Sequence, residues 1–299
     1  MTYSEIWHRI ATSYDDGEAR AIARILIEEL FGLSYADIVC GATELLSADD
    51  TLRLDTAVRR IEQGEPLQHV LGYADFCGNR FCVNGSVLIP RPETEWLVDE
   101  GAKLMNGCIA SDEMQHKAPH SPKRILDIGT GSGCIAISLK LRLGDAYVEA
   151  WDISEEALRT AQDNADALKA EVVFRKRDAL RADNTAAPWD LIVSNPPYIC
   201  DSERSAMDDN VLLHEPHTAL FVPDDDPLRF YRAIARYALL TLNIGGSLLF
   251  ECNTRYAEAT GTMLRDMGFE EVTVSDDCFN LPRFVRGSSP SQPSPSGRA

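Results

Sequence analysis

Over residues 1 to about 72, apolar positions recur every three or four residues, the period of a buried helix face. Ile22, Ile25, Leu26 and Leu30 mark one face, with Asp16 as the expected N-cap and Gly32 just past the end. Leu54, Ala57, Val58 and Ile61 repeat the pattern after Ser47. A small bundle of short helices is expected, with nothing catalytic in it. The pattern then changes. Phe76-Cys77 and Phe81-Cys82-Val83 flank Gly78-Asn79, which predicts a hairpin. Two prolines keep Leu88-Ile89-Pro90-Arg91-Pro92 extended, and a helix begins over Glu93 to Leu97. Residues 106–122 are polar and aperiodic, as in a surface loop.

From residue 123 onward short apolar runs alternate with amphipathic stretches. Arg124–Asp127, Ala146–Trp151, Glu171–Phe174, Asp190–Ser194, Ser247–Phe250, Glu271–Val274 and Arg283–Val285 read as strands, with helices at about 133–143 and 154–169. Such alternation predicts an α/β fold, a parallel sheet covered by helices on both faces. No helix separates the last two strands, so they should pair antiparallel. Gly287 to Ala299 is rich in Ser and Pro and is expected to be disordered. The expected organisation is 1–72 helical domain, 73–88 hairpin linker, 89–286 α/β domain and 287–299 tail.

Charge narrows the choice of partner. The net charge is −18, from 29 basic and 47 acidic residues. Nucleic-acid binding draws mainly on phosphate neutralisation by Lys and Arg. The densest basic run, Arg175-Lys176-Arg177, is explained by a solvated strand end. Stable nucleic-acid binding is therefore not expected, and an acidic surface suits a basic protein partner. The eight cysteines are scattered, with no Cys-x-x-Cys and no zinc-like spacing, so no metal site is expected. His214 and His217 flank Glu215-Pro216 without a third ligand. No run of about 18 apolar residues is present, and Met1-Thr2-Tyr3-Ser4-Glu5 lacks the features of a signal peptide. A cytoplasmic protein with reduced thiols, off the membrane, is expected.

Two stretches carry candidate chemistry. Asp127-Ile128-Gly129-Thr130-Gly131-Ser132-Gly133 follows a strand and opens a helix. Glycines there allow tight turning and close approach to a ligand, and the helix start adds N–H donors. Position 134 is Cys134 where the dinucleotide fingerprint has glycine, which weakens a pyrophosphate reading. Asp152 ends the next strand, 19 positions after Gly133, where an acid binds ribose hydroxyls in nucleotide folds. It also suits a helix N-cap. Asp178, after the third strand, suits an adenine amino group or a solvated loop equally. The second stretch is Asn195-Pro196-Pro197-Tyr198, at the exit of the Asp190–Ser194 strand. Each proline lacks an N–H while its carbonyl can accept. A carboxamide oxygen and a proline carbonyl would accept from a flat NH₂ group, with an aromatic ring nearby. An adenine-like base and a side-chain amide both fit, and a plain turn is the alternative.

Together these stretches resemble the S-adenosylmethionine-dependent methyltransferases that act on planar nitrogen. Within them the chain resembles the HemK-type peptide chain release factor glutamine methyltransferases over about residues 15–286. Gly64-Glu65-Pro66-Leu67 and Ile89-Pro90-Arg91-Pro92-Glu93-Thr94-Glu95 extend the likeness, the latter being quite specific. The resemblance implies a Rossmann-like seven-stranded sheet, a small N-terminal helical docking domain and a hairpin link. It implies S-adenosyl-L-methionine as cofactor, with Gly129, Thr130, Gly131, Ser132 and Gly133 around its methionine part and Asp152 on the ribose. Asp178, Ala179 and Asn195 complete that set. Asn195, the Pro196 carbonyl, Pro197 and Tyr198 would hold the substrate amide, with Tyr198 against its plane. The implied substrate is the glutamine of a Gly-Gly-Gln motif in class I release factors; the enzyme itself is expected to be a monomer. An N6-adenine-type nucleic-acid methyltransferase shares the second loop and is the alternative. The chain departs from the family at Ala179, where an aromatic is frequent. It departs again at Asp224-Asp225-Asp226-Pro227-Leu228, where glycines are usual. Glu251-Cys252-Asn253 replaces a commoner Glu-x-Gly.

Overall fold

Helix boundaries follow local capping chemistry. In the computed structural model, which describes residues 1–112, 122–182 and 188–291, the N-terminal helices are α1 (Tyr3–Ile10), α2 (Asp16–Phe31), α3 (Tyr35–Val39), α4 (Ala48–Glu62) and α5 (Leu67–Leu71). Asp15, not Asp16, caps α2: its carboxylate accepts from the Gly17 and Glu18 amides, and Asp16 is already helical. Gly32, at φ +66°, ends that helix, and Ser47 caps α4 through the Asp50 amide. Ile6, Ile10, Leu26, Ile27, Val58 and Ile61 form the shared core. Arg9 ties α1 to α4 through Asp55 and Glu62, each at 2.7 Å.

The chain forms two compact units. The helical unit comprises Met1–Tyr73, Val83–Gly85 and Ala206–Glu215, so it takes in a segment well beyond residue 72. Everything else belongs to the α/β unit. Its hairpin pairs β1 (Tyr73–Phe76) with β2 (Asn79–Cys82) through a two-residue turn at Cys77 (φ +48°) and Gly78 (φ +73°). The hairpin is not a free-standing linker. Asn164 bonds both the N–H and the C=O of Cys82, and Phe76 and Phe81 enter the main core.

The large sheet contains β3 (Arg124–Ile128), β4 (Tyr147–Asp152), β5 (Val172–Lys176), β6 (Trp189–Ser194), β9 (Leu242–Glu251), β10 (Glu270–Asp276) and β11 (Pro282–Ser288). A small parallel pair, β7 (Ile199–Cys200) and β8 (Phe221–Val222), lies outside it. The large-sheet order is β10-β11-β9-β6-β3-β4-β5, and β11 alone runs antiparallel to its neighbours. The expected antiparallel terminal pair is therefore present. The longer helices of this unit are α6 (Glu95–Asp112), α7 (Cys134–Leu143), α8 (Glu155–Leu168), α9 (Arg229–Thr241) and α10 (Ala257–Met267). Strand order reverses at β3. The chain moves one way through β4 and β5, then returns to place β6 on the other side of β3. In such sheets the crevice beyond the strand C-termini at this switch point takes ligands.

Two expectations need correction. Helix α6 runs on to Asp112, into the stretch expected as loop, while residues 113–121 lie outside the described residues. Leu97, Val98, Ala102 and Met105 bury one face, and a helix already nucleated extends without a second nucleation cost. The stretch expected to be disordered from 287 is ordered at its start. Gly287 and Ser288 belong to β11, Ser288 pairs with Ser247, and the Ser289 amide donates to the Gly246 carbonyl at 2.8 Å. Only 292–299 lie outside the described residues at that end.

Candidate active site

Strand β3 delivers the chain into a loop with three left-handed glycines, Gly129 (φ +77°), Gly131 (φ +55°) and Gly133 (φ +81°). Their surroundings differ. A Cβ on Gly131 would meet nothing within 4 Å. A Cβ on Gly133 would meet Ile137 Cδ1 at 2.9 Å and Ala161 Cβ at 3.1 Å, so this glycine lets α7 and α8 approach. The loop is strapped to β4. Gly129 and Thr130 amides donate to the Trp151 carbonyl at 2.8 and 2.9 Å, and the Gly131 amide donates to Asp152 Oδ2 at 2.9 Å. From α8, Asn164 donates to the Ser132 carbonyl at 2.9 Å.

Beneath the loop lies Asp127, fully buried. Its Oδ2 accepts from the Thr130 hydroxyl at 2.7 Å and from the Ala136 amide at 3.3 Å, whereas Oδ1 has no hydrogen-bond partner. Burial pushes its carboxyl up to about 7, the two hydrogen bonds opposing only in part. A buried, unpaired carboxylate oxygen calls for an explanation. The residue opens the glycine motif, yet its burial state is a property of the fold.

A cavity of about 360 Å³ sits at the switch point, within the range of small-molecule sites. Gly129, Gly131, Asp152, Asp178, Ala179, Asn195, Pro196 and Pro197 line it. Thr130, Ser132, Gly133 and Tyr198 do not. Thr130 and Ser132 are turned inward and buried. Asp152 is not a helix cap, since Ser154 caps α8 through the Ala157 amide. Its Oδ1 accepts from the Ser154 amide and its Oδ2 from Gly131, both at 2.9 Å. A carboxylate oxygen has two lone pairs, so acceptor capacity is left for a ligand hydroxyl. Burial raises the Asp152 pKa, opposed in part by backbone hydrogen bonds from Ser154, Gly131 and Ile153. Asp178 Oδ1 accepts from the Leu180 amide at 2.9 Å, fixing the next turn. Ile153, Leu180 and Phe230 add apolar wall. Sequence reading missed them, although Ile153 carried a signal, being a large aliphatic directly after Asp152; in the fold it is 56 % exposed.

Opposite the glycine loop, β6 ends at Ser194, whose hydroxyl donates to the Ile128 carbonyl at 2.6 Å. The Tyr198 amide donates to the Leu220 carbonyl at 3.2 Å, and β7 continues the pairing with β8. Asn195 is half-buried on the cavity wall. Its Nδ2 donates to Thr94 Oγ1 at 3.4 Å, and the Thr94 hydroxyl donates to Glu251 Oε2 at 2.7 Å. The Tyr198 hydroxyl donates to the other oxygen, Glu251 Oε1, at 3.3 Å. Its ring packs on the buried cluster that contains Trp151, Tyr231 and Phe250. Tyr198 is thus turned into the core and not onto the cavity. Burial raises both the Glu251 and the Tyr198 pKa; the Glu251 charge adds to the latter. Asn253 donates to the Tyr198 carbonyl at 3.3 Å. Among the described residues, no group of three or more His, Cys, Asp or Glu side chains is arranged to hold a metal ion.

A seven-stranded sheet with one antiparallel strand, a glycine loop after β3 and an acid at the end of β4 defines a Rossmann-like methyltransferase. Residues 95–220 match the methyltransferase small domain, and residues 8–72 match the PrmC N-terminal domain. The release factor glutamine methyltransferase of Bacteroides thetaiotaomicron is 43% identical over 273 residues, 91% of this chain and 93% of that protein. Those of Flavobacterium psychrophilum and Chlorobaculum tepidum are 36% and 37% identical, over 93% and 89% of this chain and 94% and 89% of theirs. Among solved structures, the human Mettl16 catalytic domain in complex with the MAT2A 3'UTR hairpin 6 aligns with TM-score 0.52 at 17% identity, covering 82% of this chain and 83% of that one, a likeness of fold. This chain belongs to the release factor glutamine methyltransferase family.

Proposed function

We propose that the protein transfers a methyl group from S-adenosyl-L-methionine to the side-chain nitrogen of the glutamine in the Gly-Gly-Gln motif of class I peptide chain release factors. The observation that carries this reading is one cavity walled by the glycine loop and Asp152 on one side and by Asn195-Pro196-Pro197 on the other. The residues present suit the cofactor. Gly131 leaves open space, Asp152 keeps acceptor capacity for ribose hydroxyls, and Ile153, Ala179 and Leu180 offer apolar contact for adenine. The unpaired Oδ1 of Asp127 is the acceptor that a nearby ammonium group, directly or through water, would complete.

The bound cofactor would supply an electrophilic methyl on a positively charged sulfur. The protein's own part is alignment. A carboxamide nitrogen is a poor nucleophile because its lone pair is delocalised into the carbonyl. Asn195 Oδ1 and the Pro196 carbonyl would each accept one N–H of the substrate amide, turning that lone pair toward the cavity. Neither proline has an N–H, so no backbone donor competes at those positions. The two acceptors also stabilise the positive charge that develops on nitrogen, a preorganised electrostatic effect. Near-attack positioning of this kind lowers a barrier by up to about 7–11 kcal/mol in well-oriented systems. No strong general base is required, since the proton leaves after transfer.

Residues 1–72 would serve substrate docking, and the enzyme would act as a cytoplasmic monomer that meets its protein substrate transiently. A net charge of −18 disfavours a nucleic-acid substrate. The test is mass spectrometry of an unmodified class I release factor after incubation with the protein and S-adenosyl-L-methionine. One methyl on the motif glutamine, absent with Asn195→Ala, is expected. A folded release factor left unmethylated overturns the proposal.

A further inference from the structure

We infer that Thr94 and Glu251 are positioning residues that decide which end of the Asn195 amide faces the substrate. The argument is one of donor and acceptor polarity. An ionised carboxylate only accepts. Glu251 therefore compels both hydroxyls that reach it, those of Thr94 and Tyr198, to donate. With its proton committed to Glu251 at 2.7 Å, the Thr94 oxygen has only lone pairs left for Asn195. The nearer end of the Asn195 amide must then be its NH₂, at 3.4 Å. Amide orientation is read from the network around it, and with Glu251 ionised this network gives one answer. Oδ1 is left for the cavity as an acceptor.

Polarity matters because the proposed substrate group is itself an NH₂. Were the Asn195 amide rotated by half a turn, a donor would face a donor and the substrate nitrogen would lose one of its two acceptors. Thr94 and Glu251 are both buried, at 3 % and 1 % exposure, and neither lines the cavity. They act through Asn195. They also come from far along the chain, Thr94 from the turn before α6 and Glu251 from the end of β9. The same carboxylate holds the Tyr198 hydroxyl, so both ends of the Asn195–Tyr198 loop refer to one buried group. Raising of the Glu251 pKa by burial is opposed first by the Thr94 hydrogen bond, which favours the ionised form this polarity needs.

The inference rests on the glutamine reading for its activity assay alone, and a second readout is independent of substrate. Thr94→Val keeps shape and removes the hydroxyl; Thr94→Ser keeps the hydroxyl. Thr94→Val should lower kcat about 10- to 100-fold, the range for losing a hydrogen bond and misplacing a reacting group. S-adenosylhomocysteine affinity by calorimetry should stay at the wild-type value, and Thr94→Ser should restore most of kcat. In an Asn195→Ala background Thr94→Val should cost nothing further. By NMR, the Asn195 side-chain amide pair, assigned by its loss in Asn195→Ala, should shift in Thr94→Val and return in Thr94→Ser. A wild-type kcat in Thr94→Val, a full added loss on top of Asn195→Ala, or an unmoved amide pair overturns the inference. Should wild-type enzyme fail to methylate a release factor, the glutamine reading falls, and the amide pair still decides the role of Thr94.

Discussion

Gly131 and Gly133 sit two residues apart in one loop, yet alanine at each should fail differently. Both have positive φ, +55° and +81°. Holding an L-residue there costs about 1–2 kcal/mol. For Gly131→Ala that is the whole of the folding cost, because the new methyl meets nothing within 4 Å. The residue lines the cavity, so the methyl occupies space the cofactor would use. For Gly133→Ala the new carbon lands 2.9 Å from Ile137 Cδ1 and 3.1 Å from Ala161 Cβ. Overpacking of this kind adds about 1–3 kcal/mol, for a total of about 2–5 kcal/mol. Denaturant unfolding followed by tryptophan fluorescence suits the question, since Trp151 and Trp189 are fully buried in the same unit. Calorimetric titration with S-adenosylhomocysteine gives the affinity. Gly133→Ala should lose most stability, and Gly131→Ala should lose most affinity per unit of stability lost. A Gly133→Ala protein of wild-type stability, or a Gly131→Ala protein with unchanged affinity, refutes the division.

Asn195→Ala should reduce kcat by about 10²- to 10³-fold, the usual cost of one preorganised transition-state contact, and far exceed any loss of cofactor affinity; equal losses in both would contradict its role. Asp127 gives a pH test. Its carboxyl is raised to about 7 in the folded protein, so between about pH 4 and 7 the folded state holds a proton that the unfolded chain has released. Stability should therefore fall as pH rises through that window and level off above it. Asp127→Asn should flatten this component, seen as a smaller difference between urea midpoints at pH 5 and pH 8; an unchanged difference rules it out. Asn253→Gly removes one bond to the Tyr198 carbonyl, worth roughly 1 kcal/mol. It should lower kcat a few-fold with unchanged cofactor affinity, as steady-state kinetics would show.

What could be read from the chain beforehand was whatever depends on neighbours in sequence. The β3 and β6 strands are apolar runs bounded by punctuation, and the groups that line the cavity are backbone or short side chains at their exits. Strand, turn and exit residue lie within a few positions of one another, so the pattern that predicts the strand also locates the chemistry. Tyr198 marks where this stops. An aromatic beside the loop was legible, but its direction was set by a carboxylate 53 residues away. Thr94 and Glu251 are separated by 157 residues, and no periodicity records that they meet. Asn164 and Cys82, 82 residues apart, hide the hairpin's attachment in the same way. The extension of β11 to Ser288 depended on an edge supplied by Ser247.

These misses share a physical cause, and it bears on how the site works. Short-range pattern decides where an acceptor emerges from the sheet; long-range buried polar contacts decide which way it points. The first is robust, because it needs only a strand end and residues that cannot donate. The second is demanding, because a buried carboxylate and two hydroxyls must all be satisfied together, and a half-satisfied network is worse than none. Substitutions that spare the cavity wall but touch Thr94, Glu251 or Tyr198 should therefore leave cofactor binding intact while degrading transfer. In this fold the sheet builds the place, and the buried hydrogen bonds give it a direction.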